Sequence, residues 1–406
     1  MKNAILDLNS IITCIILCSM VKRTIEDTIR KQSARFRAVT IIGPRQSGKT
    51  TIARALFPDY AYVSLEDLDM RQFAHDDPRG FLEQYDSHTI IDEVQRVPSL
   101  LSYLQTRLDQ RPQNAQYILT GSQNFLLSKH IGQTLVGRTS LTILLPLTLD
   151  EINEFKSSTR LKLHSTILRG SYPGIYDKKL DPTTFYSSYV SLYLERDVRD
   201  LRTIESLPKF QRFIQLCAGR AGQILNMSDL SGAIGVDIKT IDAWIGVLEA
   251  SFIAYRLQPY ATNLKKRLVK MPKIYFYDTG LLCYLLNIRT EKELMVSHFY
   301  GNIFENLIIG ELMKHQTNSG EQPRLYFIRD QYGEADCIIN TPSGLAIAEV
   351  KTTSTYVGEH SAKLAYFGAL LDIPESRQYL IYTGTTQHRS NVELINALEL
   401  HSKIFG

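Results

Sequence analysis

The chain has 406 residues, 44% hydrophobic and 22% charged, and 46 Lys+Arg against 42 Asp+Glu leave a formal net charge of +4. At about 150 residues per domain this length gives two or three domains, and the composition excludes a disordered tail protein, a collagen and a low-complexity array. Five cysteines with no CxxC pair suggest neither a disulfide framework nor a zinc ribbon, which fits a reducing, cytoplasmic setting.

In chain order, the apolar run IITCIILCSM (11–20) falls well short of the roughly 20 residues that span a bilayer, so no membrane partner is expected. Residues 1–19 read as an N-terminal extension preceding the true start, because Met20 opens a well-patterned basic helix, MVKRTIEDTIRKQSARF. AVTII from Ala38 is a β-branched run typical of a buried strand, followed by GPRQSGKT and then by TIARALF with helical apolar spacing. Further strands are expected at 60–65, 88–94 and 116–122, with a helix over 99–110. Strands alternating with helices imply an α/β fold with a parallel sheet covered on both faces.

Gly43, Pro44, Arg45, Gln46, Ser47, Gly48, Lys49 and Thr50 match GxxxxGK[ST] between a strand and a helix. Consecutive backbone N–H groups at a helix N-terminus wrap phosphates there, because glycines allow close approach and the helix dipole favours anions. ATP is the expected ligand, with Thr51 at its edge; Lys49 reaches the β- and γ-phosphates, and Thr50 places its hydroxyl on Mg²⁺. Asp92 and Glu93 end an apolar strand at the edge where parallel sheets bind ligands. Asp92 is the expected Mg²⁺ partner, and Glu93 the base or water-orienting group. Ser122, with Gln123 and Asn124 after it, either reads the γ-phosphate from the neighbouring strand or closes an ordinary turn. Arg138 in LVGRTS is either a phosphate-sensing or finger arginine or a solvated arginine before an edge strand.

GPRQSGKTT, IIDEVQRVP, ILTGSQNFLL and TLVGR, in this order and spacing, resemble the AAA-type ATPases of bacteria and archaea that carry a long C-terminal domain of unassigned function. GSYPGIY (170–176), YLERDVRDL (193–201) and the later EVK extend the likeness over roughly residues 20–390. The resemblance implies nucleotide and Mg²⁺ roles for Lys49, Thr50, Asp92 and Glu93, and a sensor at Ser122. It also raises ring-like homo-oligomers as an expectation.

The expected division is an ATPase domain over 20–155, a helical connector over 156–223, a winged-helix-like domain over 224–285 and a nuclease-like α/β domain over 286–406. In the third, Ser228 reads as a helix N-cap, Gly235 lies in a turn and Asp237 caps a second helix. FIAYRL and the loop through Asn263-Leu264-Lys265-Lys266-Arg267 would form the wing, with Lys270 and Lys273 completing a phosphate-touching set. The putting of Trp244, Ile245, Val247 and Leu248 on the second helix is poor base-reading chemistry. Non-specific nucleic-acid contact and protein packing both stay open.

In the last domain, Glu305 lies in a helical run, Asp336 opens the strand-like ADCIIN, and Glu349 and Lys351 share one face of the strand GLAIAEVK, because side-chain period is two. Asp on one strand of a hairpin and ExK on the next resembles the PD-(D/E)xK nuclease core. Carboxylates of Asp336 and Glu349 suit a second Mg²⁺ or Mn²⁺, Lys351 is placed to orient the attacking water, and Glu305 completes the acidic cluster. Two functional readings follow. One is a Mg²⁺-dependent ATPase coupling nucleotide state to a nucleic-acid-acting nuclease-like domain; the alternative is a nucleotide-operated switch whose inactive C-terminal domain binds protein or DNA.

Overall fold

The computed structural model describes residues 21–122, 135–155, 161–194, 206–260, 271–389 and 391–405. Residues 1–19, Gln123, Asn124, the wing residues 263–267 and Lys270 lie outside the described residues, as does most of YLERDVRDL. The chain forms two compact units. One is built on residues up to Thr159 with Tyr172–Leu180 and Asn318–Gly320; the other on Arg160–Ser171, Asp181–Thr317 and Glu321–Gly406.

The first unit is a five-stranded sheet, β1 (Ala38–Ile42), β2 (Ala61–Ser64), β3 (Thr89–Asp92), β4 (Tyr117–Gly121) and β5 (Thr139–Ile143). The order is β2-β3-β4-β1-β5 and every pairing is parallel. β1, β3 and β4 are buried at every position, as strands covered on both faces must be, which is why they read as unbroken apolar runs. Ile25 and Ile29, the helix residues Ile52, Ala53 and Leu56, and the strand residues Val39, Ile41, Ile90 and Ile118 close one core. Among the described residues the first helix runs from Glu26 to Ser33; Val21–Ile25 before it are not helical, since Arg23 and Thr24 are engaged elsewhere in the unit, the Thr24 N–H donating to Glu151 at 2.7 Å.

In the second unit the helices Leu207–Ala218, Met227–Ile234 and Ile238–Ala250 precede an antiparallel pair, β6 (Ala254–Pro259) and β7 (Lys273–Phe276). Asn226, not Ser228, caps the middle helix, accepting from the N–H groups of Ser228 and Asp229. Gly235 takes the left-handed conformation after it, and Asp237 caps the next. Trp244 packs between Phe210 and Phe213, each at 5.3 Å between ring centroids, so the apolar face of the last helix is consumed by its neighbours.

The helix Tyr300–Asn318 leads into an antiparallel meander, β8 (Leu325–Arg329), β9 (Glu334–Thr341) and β10 (Gly344–Val350). The helix Ala362–Leu371 then returns the chain to β11 (Gln378–Tyr382), parallel to β10. β12 (Gln387–Arg389) and β13 (Val392–Asn396) extend that edge, two strands that the sequence pattern does not announce. β6 pairs with β8 through Gln258–Tyr326 and Pro259–Phe327. One eight-stranded sheet, β12-β13-β11-β10-β9-β8-β6-β7, therefore runs through the expected boundary at 285/286. Gly170, in GSYPGIY, has φ 69° and a Cβ there would stand 2.0 Å from the Tyr186 hydroxyl, so close packing fixes that glycine.

Candidate functional site

The loop that follows β1 turns through positive φ at Gly43 (154°), Gln46 (62°) and Gly48 (95°). A Cβ on Gly43 would lie 2.2 Å from the Leu144 carbonyl oxygen, so no side chain fits there. Lys49 and Thr50 start the helix Lys49–Leu56. The Lys49 ammonium is buried and donates to the Gly43 and Pro44 carbonyls at 3.1 and 2.8 Å, tucked into its own loop. Ser47 is fully buried, and its hydroxyl has no hydrogen-bond partner among the described residues. Arg45 turns toward Glu66 at 4.0 Å, and Thr51 faces solvent.

Thr50 donates its hydroxyl to both oxygens of Asp92, at 3.1 and 3.0 Å. Asp92 also accepts from the Tyr62 phenol at 2.9 Å and from the Thr120 hydroxyl. Burial, together with the Asp92 charge and hydrogen bond, pushes the Tyr62 phenol up to about 12. Glu93, at left-handed φ 56°, is held by two neighbours: the Ser122 hydroxyl donates to its carboxylate at 2.9 Å, and the Gln95 amide donates to the same oxygen. Gln95 also donates to Ser122 at 3.1 Å. Lys49, Thr50, Asp92, Glu93 and Ser122 therefore come together where β1, β3 and β4 end. Gln95, Tyr62 and Thr120 join them without having been foreseen.

Arg138 does not. It precedes β5, whose first residue pairs with Ala38 at the start of β1, whereas the loop follows the end of β1. It forms a bidentate ion pair with Asp109 at 2.6 and 2.8 Å. The expectation of a finger arginine reaching this site within the chain is corrected to that of an arginine leading into an edge strand.

Arg23 supports the loop from beneath. Its guanidinium donates to the Ser47 carbonyl at 3.0 Å and the Leu145 carbonyl at 2.7 Å, and pairs with Glu151 at 3.1 Å. Both side chains are almost wholly buried. Burial alone would raise the Glu151 carboxyl, but Arg23 and the N–H groups of Thr148 and Thr24 hold it below the usual carboxylate range.

The Thr50 and Asp92 oxygens form an all-oxygen donor set suited to a hard cation such as Mg²⁺. The orphaned Ser47 hydroxyl inside the loop is a further polar group that a bound phosphate would satisfy.

In the second unit, antiparallel register sets Ala348 opposite Cys337, which puts Glu349 opposite Asp336 on one face of the sheet. Asp336 accepts from the Val350 N–H at 2.8 Å, and Lys351 donates to Glu349 Oε1 at 2.6 Å. Glu349 Oε2 is buried with no partner among the described residues. Glu305 accepts from the Tyr275 phenol at 2.5 Å and from Lys273 at 3.1 Å. Lys273 is only 2% exposed; it is an internal cation, and the expectation that it touches phosphate from a wing is overturned. The acids were legible, but the lysine and tyrosine of β7 that hold Glu305 were not.

Burial and the neighbouring Asp336 push both Glu305 and Glu349 up to about 7. A carboxyl raised in the folded state contributes stability that is complete below its unfolded value and is lost as pH rises through the folded one. Glu349→Gln is accordingly expected to melt above the unaltered chain at about pH 8.5, with the gap closing toward about pH 4.5. Melting curves across that range check it, and a gap that widens on acidification contradicts it. Among the described residues no three His, Cys, Asp or Glu side chains are gathered to hold a metal ion. The oxygen chemistry of Asp336 and Glu349, with one orphaned oxygen, nevertheless fits a hard divalent cation.

A family model described as an AAA domain matches residues 35–153. Two described as domains of unknown function, DUF8612 and DUF4143, match 160–292 and 300–401. An uncharacterized protein of Mycobacterium tuberculosis is 27% identical over 383 residues, covering 93% of this chain and 83% of its own length. One of Methanocaldococcus jannaschii is 22% identical over 331 residues, covering 74% and 71%. Among solved structures, the Walker-type ATPase of Pyrococcus abyssi aligns with 66% of this chain and 96% of its own, at 12% identity and a TM-score of 0.46. Residues 35–153 thus match an AAA domain, and the GxxxxGK[ST] loop lies within them. No helix among the described residues is long and apolar enough to cross a membrane.

Proposed function

We propose that this protein is a Mg²⁺-dependent ATPase of the AAA type whose nucleotide state governs a nuclease-like second unit acting on nucleic acid. One observation carries the reading: each unit has a pair of carboxylates at strand ends, Asp92 and Glu93 tied through Thr50 to the helix that Lys49 opens, and Asp336 and Glu349 beside Lys351. In the first unit the loop N–H groups and the helix N-terminus take the phosphates. Lys49 exchanges the Gly43 and Pro44 carbonyls for the β- and γ-phosphate oxygens. Thr50 and Asp92 would hold Mg²⁺, which would supply charge neutralisation at those oxygens. Glu93 orients the attacking water and accepts its proton, while Ser122 and Gln95 fix the carboxylate in place.

In the second unit, helix, three-stranded meander, helix and parallel strand follow the order of a PD-(D/E)xK nuclease core. Asp336 and Glu349 would hold Mg²⁺ or Mn²⁺ there, Lys351 orients water, and the substrate is a phosphodiester. The helix trio with β6 and β7 is read as a winged-helix-like unit used for packing, a reading that the burial of Trp244 and Lys273 supports. A protein partner or a second copy of the chain remains compatible with this reading.

A second reading, a nucleotide-operated switch with an inactive C-terminal unit, is favoured by the lysine already bonded to Glu305. ATP turnover measured with and without Mg²⁺, and with single-stranded DNA, duplex DNA or RNA added, separates the two. The first predicts Mg²⁺-dependent turnover that changes several-fold with one of these nucleic acids. Turnover indifferent to all three supports the switch, and no turnover in Mg²⁺ contradicts both.

A further inference from the structure

Lys273 opens β7, 63 residues before Asp336 in the chain, and no nuclease-like pattern includes it. Its ammonium lies 3.1 Å from Glu305 Oε1 and 2.7 Å from Glu334, with the Phe327 ring centroid at 5.6 Å. Tyr275, on the same face of β7, donates to the same Glu305 oxygen at 2.5 Å. A buried ammonium is strongly disfavoured unless it is paired and hydrogen-bonded, so Lys273 and these acids stand or fall together. Glu349 is arranged differently. One of its oxygens is taken by Lys351, while the other, in a side chain whose residue is 1% exposed, has no partner among the described residues.

We infer that Lys273 is a built-in cation of the acidic cluster, holding Glu305 and Glu334 so that Asp336 and Glu349 take a single divalent ion and Glu305 stays off the metal. The inference rests on the nuclease-like reading and narrows it to a one-ion site, with Lys273 as a positioning residue. A two-ion site needs acids on both sides of the reacting phosphate, and here one side is already neutralised by an ammonium.

The test is Mn²⁺ titration, by calorimetry and by the paramagnetic signal of bound Mn²⁺, on nucleotide-free protein. The chain carries Asp92→Asn to remove the first unit's carboxylate. The pH is about 8.5, above the value of about 7 to which burial and Asp336 push Glu305. A single Mn²⁺ is expected, lost on adding Glu349→Gln and unchanged within about two-fold in affinity on adding Glu305→Gln. Lys273→Met is expected to take a second Mn²⁺, whereas Lys273→Arg keeps one. Two ions in the chain with Lys273 intact, a ten-fold loss of affinity in Glu305→Gln, or a folded Lys273→Met that still takes one ion would overturn the inference. If Lys273→Met does not fold, the Glu305→Gln result decides. Absence of any Glu349-dependent Mn²⁺ removes the metal from the nuclease-like reading. The lysine assignment would then fail too, unless Lys273→Met gains an ion.

Discussion

Glu93→Gln is expected to lower ATP turnover by about 10²–10⁴-fold, the range for removal of a positioned general base, while ATP binding stays within a few-fold of the unaltered chain. Glu93 follows Asp92, the proposed Mg²⁺ carboxylate, directly and is gripped by Ser122 and Gln95, so the amide keeps the shape of the site and loses only the proton acceptor. The loop, Lys49 and Thr50, proposed to hold the phosphates, are untouched. Single-turnover phosphate release together with binding of a fluorescent ATP analogue reads both quantities. Turnover within a few-fold of the unaltered rate would remove Glu93 from the chemistry. Loss of binding with loss of turnover would mean that it holds the site together instead.

Arg23→Ala is expected to cost the first unit about 3–5 kcal/mol, because breaking a buried pair leaves Glu151 as an uncompensated buried charge. It also removes donors from the carbonyls of Ser47 and Leu145, loosening the phosphate loop, so ATP affinity falls with stability. Glu151 sits below the usual carboxylate range in the folded chain. Its contribution is present above the unfolded value and disappears as pH falls through the depressed one. The stability difference between Arg23→Ala and the unaltered chain should therefore narrow on acidification. Urea unfolding at neutral and acidic pH checks both statements; equal midpoints at neutral pH would contradict the first.

The phosphate loop was legible in the sequence because its geometry is local: glycines and a lysine within eight residues at a strand–helix junction. Asp92, Glu93, Asp336 and Glu349 were legible because strand alternation and strand ends fix where such side chains point. Arg23 and Tyr62 were not, since contacts over tens of residues in sequence bring them to the site; Gln95 was not, since only the short turn Val94–Arg96 folds it back onto Glu93. Arg138 was left open between two readings although strand direction decides between them within the chain: a residue that precedes a parallel strand lies at the edge opposite the loops that follow the strands. Lys273 was read as a surface cation because of its basic neighbours. The apolar run IYF after it, in a strand buried at all four positions, carried the contrary signal of a core strand. β12 and β13 escaped notice because a largely exposed three-residue strand and a strand of only five residues leave little periodicity to read.

The central claim, that two carboxylate sites in one chain are joined by nucleotide state, is tested most directly by nucleic-acid cleavage. Plasmid, single-stranded DNA and RNA are incubated with Mg²⁺ or Mn²⁺, with and without ATP, using the unaltered chain and Asp336→Ala. The account predicts metal-dependent cleavage of at least one substrate, altered by ATP and abolished in Asp336→Ala. Cleavage that persists in Asp336→Ala, or no cleavage of any substrate by the unaltered chain, would contradict it.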